Sequence, residues 1–330
     1  MNKVVLTGIK PTGIPHIGNY FGAIKPAIEL ANNPELDAYY FIADYHALNY
    51  IKDKNELLDY TKQIACSWLA CGLDVKKAVF YKQSLVPEVT ELNWLLCNVT
   101  PKGLMNRAHA YKALVDKSLS LGDDPDALVN MGLYNYPILM AADILLFNSK
   151  FVPVGADQKQ HVEMARDMAK AFNKRYGNTL VVPTELIQES TGVIYGTDGR
   201  KMSKSYGNVI PLFCPEQQLK KLIMSIKTDS TLPNEPKSTN CALFELYKLF
   251  GNKEQVEQMA KKYSEGISWA EAKTQLFELI NNYISPMREK YDYYMSHYDE
   301  VEKILAEGAK RARLVAKNTI QRARLAIGLD

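Results

Sequence analysis

The sequence predicts an α/β fold: a Rossmann-like parallel sheet in the first part of the chain, a helical insertion, and an α-helical C-terminal part. Three observations carry this. Short β-branched and apolar runs alternate with helix-spaced stretches early in the chain. A Pro/Gly turn joins the first run to its helix, and beyond Leu212 the strand pattern fades. The 330 residues, 47% of them hydrophobic, can bury the core of two domains.

The elements follow in order. Residues 4–6 precede a helix over 18–30, residues 38–42 a helix over 55–71, and residues 78–81 a helix over 87–99. Such β-α repetition builds a parallel sheet with ligands at the carboxyl ends of its strands. Residues 101–117 are polar, basic and turn-prone, and 118–126 form a Ser/Gly/Asp loop, which reads as a partly mobile insertion. Residues 131–147 are a buried helix carrying one acid, Asp143. A short strand over 151–154 leads to a helix over 158–176, and 180–182 is the expected last strand. Helices are then expected over 217–226, 241–250, 253–263, 269–284 and 299–327.

Charge is nearly balanced, 40 basic residues against 37 acidic, so net charge says little about a nucleic-acid partner. Its distribution says more. In the last helix Lys303, Lys310, Arg313, Lys317 and Arg324 share one side. Leu305, Gly308, Ala312, Val315, Thr319, Ala323 and Ile327 share the other, a small-residue stripe suited to close packing. The basic side is either a solvated face or an RNA contact. Five cysteines without a C-x-x-C pair point to neither zinc nor a disulfide framework, but to buried thiols in a reducing, cytoplasmic compartment. No signal peptide and no long apolar run is seen, so no membrane partner is expected.

Two stretches carry the chemistry. Residues 8–22 read GIKPTGIPHIGNYFG, a turn from strand to helix where free N–H groups favour phosphate. His16 there can reach a phosphate, and Gly18 leaves room for a flat base. Residues 198–208 read DGRKMSKSYGN, placing Lys201 and Lys204 in one loop. They are suited to follow a polyphosphate through a reaction; the alternative is a solvated basic loop. Together, His16-Ile17-Gly18-Asn19 and Lys201-Met202-Ser203-Lys204-Ser205 resemble the HIGH and KMSKS signatures of class I aminoacyl-tRNA synthetases. Residues 44–48, 136–143, 153–161 and 228–230 are similar to bacterial tryptophanyl-tRNA synthetases, and the likeness covers most of the chain.

Asp143, amid apolar neighbours, is either a structural acid satisfied by backbone N–H groups or the acceptor for a mostly apolar ligand such as an indole. The resemblance implies activation of L-tryptophan with MgATP to tryptophanyl-adenylate and pyrophosphate, then transfer to the 3′ end of tRNA(Trp). It implies catalytic roles for His16, Asn19, Lys201 and Lys204. ATP would meet Lys10, Thr12, Gly18, Asn19, Asp157, Lys201, Met202, Ser203, Lys204 and Ser205. Tryptophan would meet Gly8, His46, Tyr136, Met140, Asp143, Val152, Val154 and Gln158. No resident metal is expected beyond the Mg2+ of the nucleotide. A phosphate-seeking lysine of the insertion is Lys112 or Lys117. Residues 1–210 would be the catalytic nucleotide-binding domain, with a helical insertion at about 100–150. Residues 211–330 would be an anticodon-binding domain, in a homodimer. Leu6 stands where many members have Phe, and Lys10 where many have Gln; the role of Lys10 stays open. Tyrosyl enzymes typically carry Gln three residues before the equivalent of Asp143, where this chain has Met140. A small-molecule adenylyltransferase is the remaining enzymatic alternative, and the long helical C-terminal part argues against it.

Overall fold

The computed structural model describes residues 3–155, 159–187 and 192–329. Strands β1 (Lys3–Ile9), β2 (Leu36–Ile42), β3 (Ala78–Lys82), β4 (Phe151–Val154) and β5 (Thr184–Ile187) form one parallel sheet in the order β3-β2-β1-β4-β5. The chain moves outward from β1 to β2 and β3, then returns to the other side of β1 for β4. The gap between the carboxyl ends of β1 and β4 is therefore the switch point where such sheets hold ligands.

Successive strand residues face opposite sides, and each side has its own core. Val5, Tyr40, Ile42 and Phe80 face one side, packed with α4 (Lys54–Ala70), α10 (Glu216–Met224), α11 (Ala242–Phe250), α12 (Lys253–Glu265) and α13 (Trp269–Ser296). Leu6, Phe41, Val79 and Tyr81 face the other, packed with α5 (Glu88–Cys97), α8 (Met131–Leu146) and α9 (Lys159–Tyr176). The last helix, α14 (Tyr298–Ile327), belongs to both: Val301 and Leu305 enter the first core, Ala309, Ala312, Ala316 and Ala323 the second.

Between those groups α14 lies across β3. The approach is so close that a Cβ on Gly308 would stand 1.8 Å from the Phe80 carbonyl oxygen. The Arg311 guanidinium donates to the carbonyls of Val75 (2.9 Å) and Ala78 (3.4 Å). The small-residue stripe thus has its reason: it lets a helix cover the sheet's outer strand and remove an open edge.

Several expectations change. Residues 180–182 are not a strand, because the Asn173 side chain takes the Leu180 N–H (2.9 Å) and donates to its carbonyl (2.8 Å); the last strand is β5. Within the helical insertion, residues 101–117, read as turn-prone, carry α6 (Lys102–Met105) and most of α7 (His109–Ser120). The first helix begins as α1 (Ile17–Asn19), passes through a π-helical turn (Tyr20–Ile24), and continues as α2 (Lys25–Ala31). A helix the sequence did not suggest, the four-residue α3 (Asp44–Ala47), follows β2. α13 runs on through Pro286 to Ser296 instead of stopping before it, since Met287 and Tyr291 keep packing on the core.

The basic side of α14 is partly spent on the fold. Arg313 pairs with Glu88 (2.8 Å) and Arg324 with Glu91 (2.8 Å), both on α5, while Lys303 and Lys310 pair with Asp299 and Glu307 of their own helix. The described cysteines are all free, Cys66 and Cys214 being buried. No described helix is long and apolar enough to cross a membrane.

Replacing Gly308 tests the α14–β3 contact by the sign of its effect. Alanine raises helix propensity by about 1 kcal/mol, but overpacking against a backbone carbonyl costs about 1–3 kcal/mol. Gly308→Ala should therefore lower the urea midpoint; a raised midpoint would mean that the helix does not touch the strand.

Candidate active site

The loop leaving β1 is closed by its own first helical turn. The His16 ring Nδ1 accepts from the Asn19 N–H (3.3 Å), and the Asn19 side chain accepts from the His16 N–H (3.1 Å), a reciprocal cap. This segment pairs with a distant one: the Ile17 N–H donates to the Ile210 carbonyl (3.0 Å) and the Leu212 N–H to that of Pro15 (2.9 Å). Residues 201–205 are thereby carried to the loop. Met202 is buried beneath Gly18, whose absent Cβ would meet its sulfur at 3.6 Å and the His16 ring at 2.9 Å. Lys204 Nζ comes within 3.5 Å of the Thr12 carbonyl.

The second loop is held by a residue the sequence did not single out. Asn208, buried, accepts from the Ser203 N–H (2.8 Å) and donates to Asp198 (2.7 Å) and the Lys201 carbonyl (3.1 Å). Lys201, Lys204 and Ser205 stay exposed. Burial, and then the charge of Lys204, push the His16 imidazole down to about 4. The ring is therefore neutral at physiological pH. It serves as cap and hydrogen-bonding group, not as a cation.

Beside this cluster lies a cavity of about 570 Å³ at the switch point. Lys10, two residues before Thr12, sits on its wall with Nζ 4.9 Å from the Tyr50 ring centroid, so cavity and loops adjoin. Gly8, His46, Tyr136, Met140, Asp143, Val152 and Val154 all line it. Gly8 has a packing reason as well, because a Cβ there would collide with the Phe41 ring at 2.4 Å. Asp157 and Gln158 lie outside the described residues.

Asp143 is satisfied neither by backbone nor by solvent. It is 3% exposed; its Oδ2 receives His46 Nε2 (2.9 Å), and Gln83 Nε2 reaches both oxygens at 2.8 Å. Burial pushes its carboxyl up, and the hydrogen bonds from His46 and Gln83 act against that. Gln83 and Ser84 went unnoticed in the sequence, although they immediately follow β3 and strand ends are where such sheets bind. Two cavity histidines were also missed as wall residues. His161 hydrogen-bonds the Tyr136 hydroxyl (3.1 Å). His109 opens α7, its N–H held by the Gln160 side chain (3.0 Å). Lys112 sits within the first turn of α7, and Lys117 lies roughly 12 Å from His109 along the axis.

A family profile described as tRNA synthetases class I (W and Y) matches residues 2–285. The chain belongs to that family. The tryptophan–tRNA ligase of Pseudomonas aeruginosa is 51% identical over 333 residues, spanning 100% of this chain and 74% of that relative. The ligase of Xylella fastidiosa is 51% identical over 332 residues, spanning 100% and 76%. A tryptophanyl-tRNA synthetase from Campylobacter jejuni, complexed with ADP and tryptophan, superimposes with a TM-score of 0.90 at 41% identity, covering 99% of this chain and 100% of that one. Family membership explains why two segments far apart in the sequence are zipped side by side at one end of the sheet.

The depressed His16 pKa has a measurable consequence. Between the ordinary value of 6.5 and about 4, the unfolded chain takes up a proton that the folded ring refuses. The contribution to stability is complete above 6.5 and is lost as pH falls through about 4. In NMR the His16 ring resonances should not titrate between pH 8 and 5; a midpoint near 6.5 would contradict the buried placement beside Lys204.

Proposed function

We propose that this chain is a tryptophan–tRNA ligase, activating L-tryptophan with ATP and passing it to the 3′ end of tRNA(Trp). The observation that carries the reading is the conjunction at one switch point: a mostly apolar cavity in which Asp143 is the one acid among the described lining residues, beside the two lysine- and histidine-bearing loops. Curated relatives at about half identity over the whole chain support tryptophan over tyrosine. Met140 on the cavity wall suits an indole face, where an amide would suit a phenol.

The first step needs no general base, because the substrate carboxylate is already the nucleophile. It attacks the α-phosphorus, the bond to the bridging oxygen breaks, and pyrophosphate leaves with the electron pair. What the protein supplies is alignment and charge stabilisation. Neutral His16 offers an N–H once its Nδ1 is engaged in the cap, and Asn19, Lys201 and Lys204 complete the set around the phosphates. Magnesium would enter with the nucleotide as MgATP and neutralise phosphate charge. Tyr136, on the cavity wall, is assigned the substrate ammonium. Lys112 is better placed than Lys117 to reach phosphate, being nearer the cavity end of α7.

The second step delivers the acyl group to the terminal adenosine of tRNA. The helical part after residue 210 is assigned to the anticodon arm, and Lys303, Lys310 and Lys317 are the part of the α14 face that fold contacts to α5 leave available. The segment 87–147, which exposes Trp94, Leu121, Leu128 and Met131, is assigned to the contact with a second copy. Five free thiols accord with a reducing cytoplasm.

Pyrophosphate exchange with each of the twenty amino acids tests the reading, which requires tryptophan alone to support exchange. Asp143→Asn should keep ATP binding but raise the tryptophan KM by about 10- to 100-fold, the worth of a hydrogen bond to a charged group. Unchanged tryptophan activation would remove Asp143 from the pocket. Lys204→Ala should slow adenylate formation by about 10²–10³ with tryptophan affinity nearly intact, since its contact strengthens as charge develops. A collapse of tryptophan binding at an unchanged single-turnover rate would instead put that loop in the amino-acid pocket.

A further inference from the structure

We infer that Gln83 is a specificity-positioning residue: with His46 it fills three of the four acceptor positions of the Asp143 carboxylate, leaving one, on Oδ1, for a single ligand N–H. The inference rests on the tryptophan reading above and adds to it a residue and a count.

A carboxylate accepts about four hydrogen bonds, two at each oxygen. Oδ2 of Asp143 has both positions taken, by His46 Nε2 at 2.9 Å and Gln83 Nε2 at 2.8 Å. Oδ1 has one taken, by the same Gln83 nitrogen at 2.8 Å. The amide orientation of Gln83 follows from its other end, where Oε1 accepts the Tyr45 N–H at 3.1 Å, so the NH2 group must face Asp143. Gln83 is 1% exposed and has no other place to turn.

The backbone beneath Gln83 is latched too. Asp44, at the start of α3, accepts the Ser84 N–H (2.9 Å) and the Ser84 hydroxyl as well as the Tyr45 N–H (3.1 Å). This ties the carboxyl end of β2 to that of β3, with Gln83 between. The acid that faces the cavity is therefore aimed by a chain of contacts running Asp44, Ser84, Gln83, Asp143.

One remaining acceptor position selects by number as well as by type. A ligand with no donor leaves a desolvated lone pair, a penalty that sites built to hydrogen-bond a substrate turn into discrimination. A primary amide would bring a second hydrogen with no acceptor. A secondary N–H on a large apolar body satisfies both conditions.

The test compares tryptophan with its sulfur isostere, β-(benzothiophen-3-yl)alanine, which has the same shape and no N–H, in pyrophosphate exchange. In Gln83→Met, which keeps volume and loses the donor, the tryptophan KM should rise about 10- to 100-fold. Its kcat should change far less, and the KM for the isostere should stay nearly constant, so the preference for tryptophan falls by the same factor. Placed on top of Asp143→Asn, Gln83→Met should add little, because it acts through the carboxylate. Ser84→Ala should shift tryptophan in the same direction by a smaller factor at an unchanged KM for ATP, and it carries the test if Gln83→Met does not fold. An equal rise in KM for both amino acids would mean that Gln83 only packs, and an unchanged preference would overturn the proposal. If the unmodified protein exchanged with no amino acid or with tyrosine, the functional reading itself would fall, and this proposal with it.

Discussion

The structure depends on a short antiparallel contact between residues 15–17 and 210–212. Two backbone hydrogen bonds there, at 2.9 and 3.0 Å, join the first loop of the sheet to the segment that follows the lysine loop. Everything nearby presupposes this contact: Met202 under Gly18, Lys204 against the Thr12 carbonyl, and the Coulombic pressure of Lys204 on His16. Backbone pairing fixes position independently of side-chain identity. The exposed lysines can therefore stay long and mobile while their attachment points remain fixed.

The same division of labour holds in the cavity. Side chains at neighbouring strand ends line it, and Asp143, the one acid among the described lining residues, is surrounded by apolar residues of α8. A buried carboxylate without partners would neutralise itself by taking up a proton. His46 and Gln83 oppose that by bonding to the charged form. The acid thus keeps its partners because two strands end beside each other, bringing His46 and Gln83 to it.

Much of this was legible in the sequence. The alternation of β-branched runs and helix-spaced stretches gave the parallel sheet, and the small residues Gly308, Ala312 and Ala323 marked a close-packed helix face. Asp143 stood out because an acid in an apolar helix needs an explanation. What stayed hidden was non-local. Gln83, Ser84 and Asn208 are ordinary polar residues whose importance lies in partners remote in the chain, such as Asp143 for Gln83. Residues 180–182 look like a strand by composition, yet the Asn173 amide claims the Leu180 backbone; β5, with Thr184 and Glu185, looks less like one. Arg313 and Arg324 belong to a basic stripe in sequence, and only the fold shows Glu88 and Glu91 waiting for them.

The placement of α14 across β3 has a consequence for how the chain is made. Arg311 caps carbonyls that precede it by as many as 236 residues, and Gly308 seats the helix on a strand formed just as early. During synthesis, β3 emerges with its outer backbone open and both cores incomplete. It stays that way until α14 has followed it out of the ribosome. Until then the nascent protein carries an open strand edge, and α14 acts as a late-arriving clasp. Truncation within this helix would release the strand again, making the C-terminal turns a point of vulnerability for aggregation far from the chemistry.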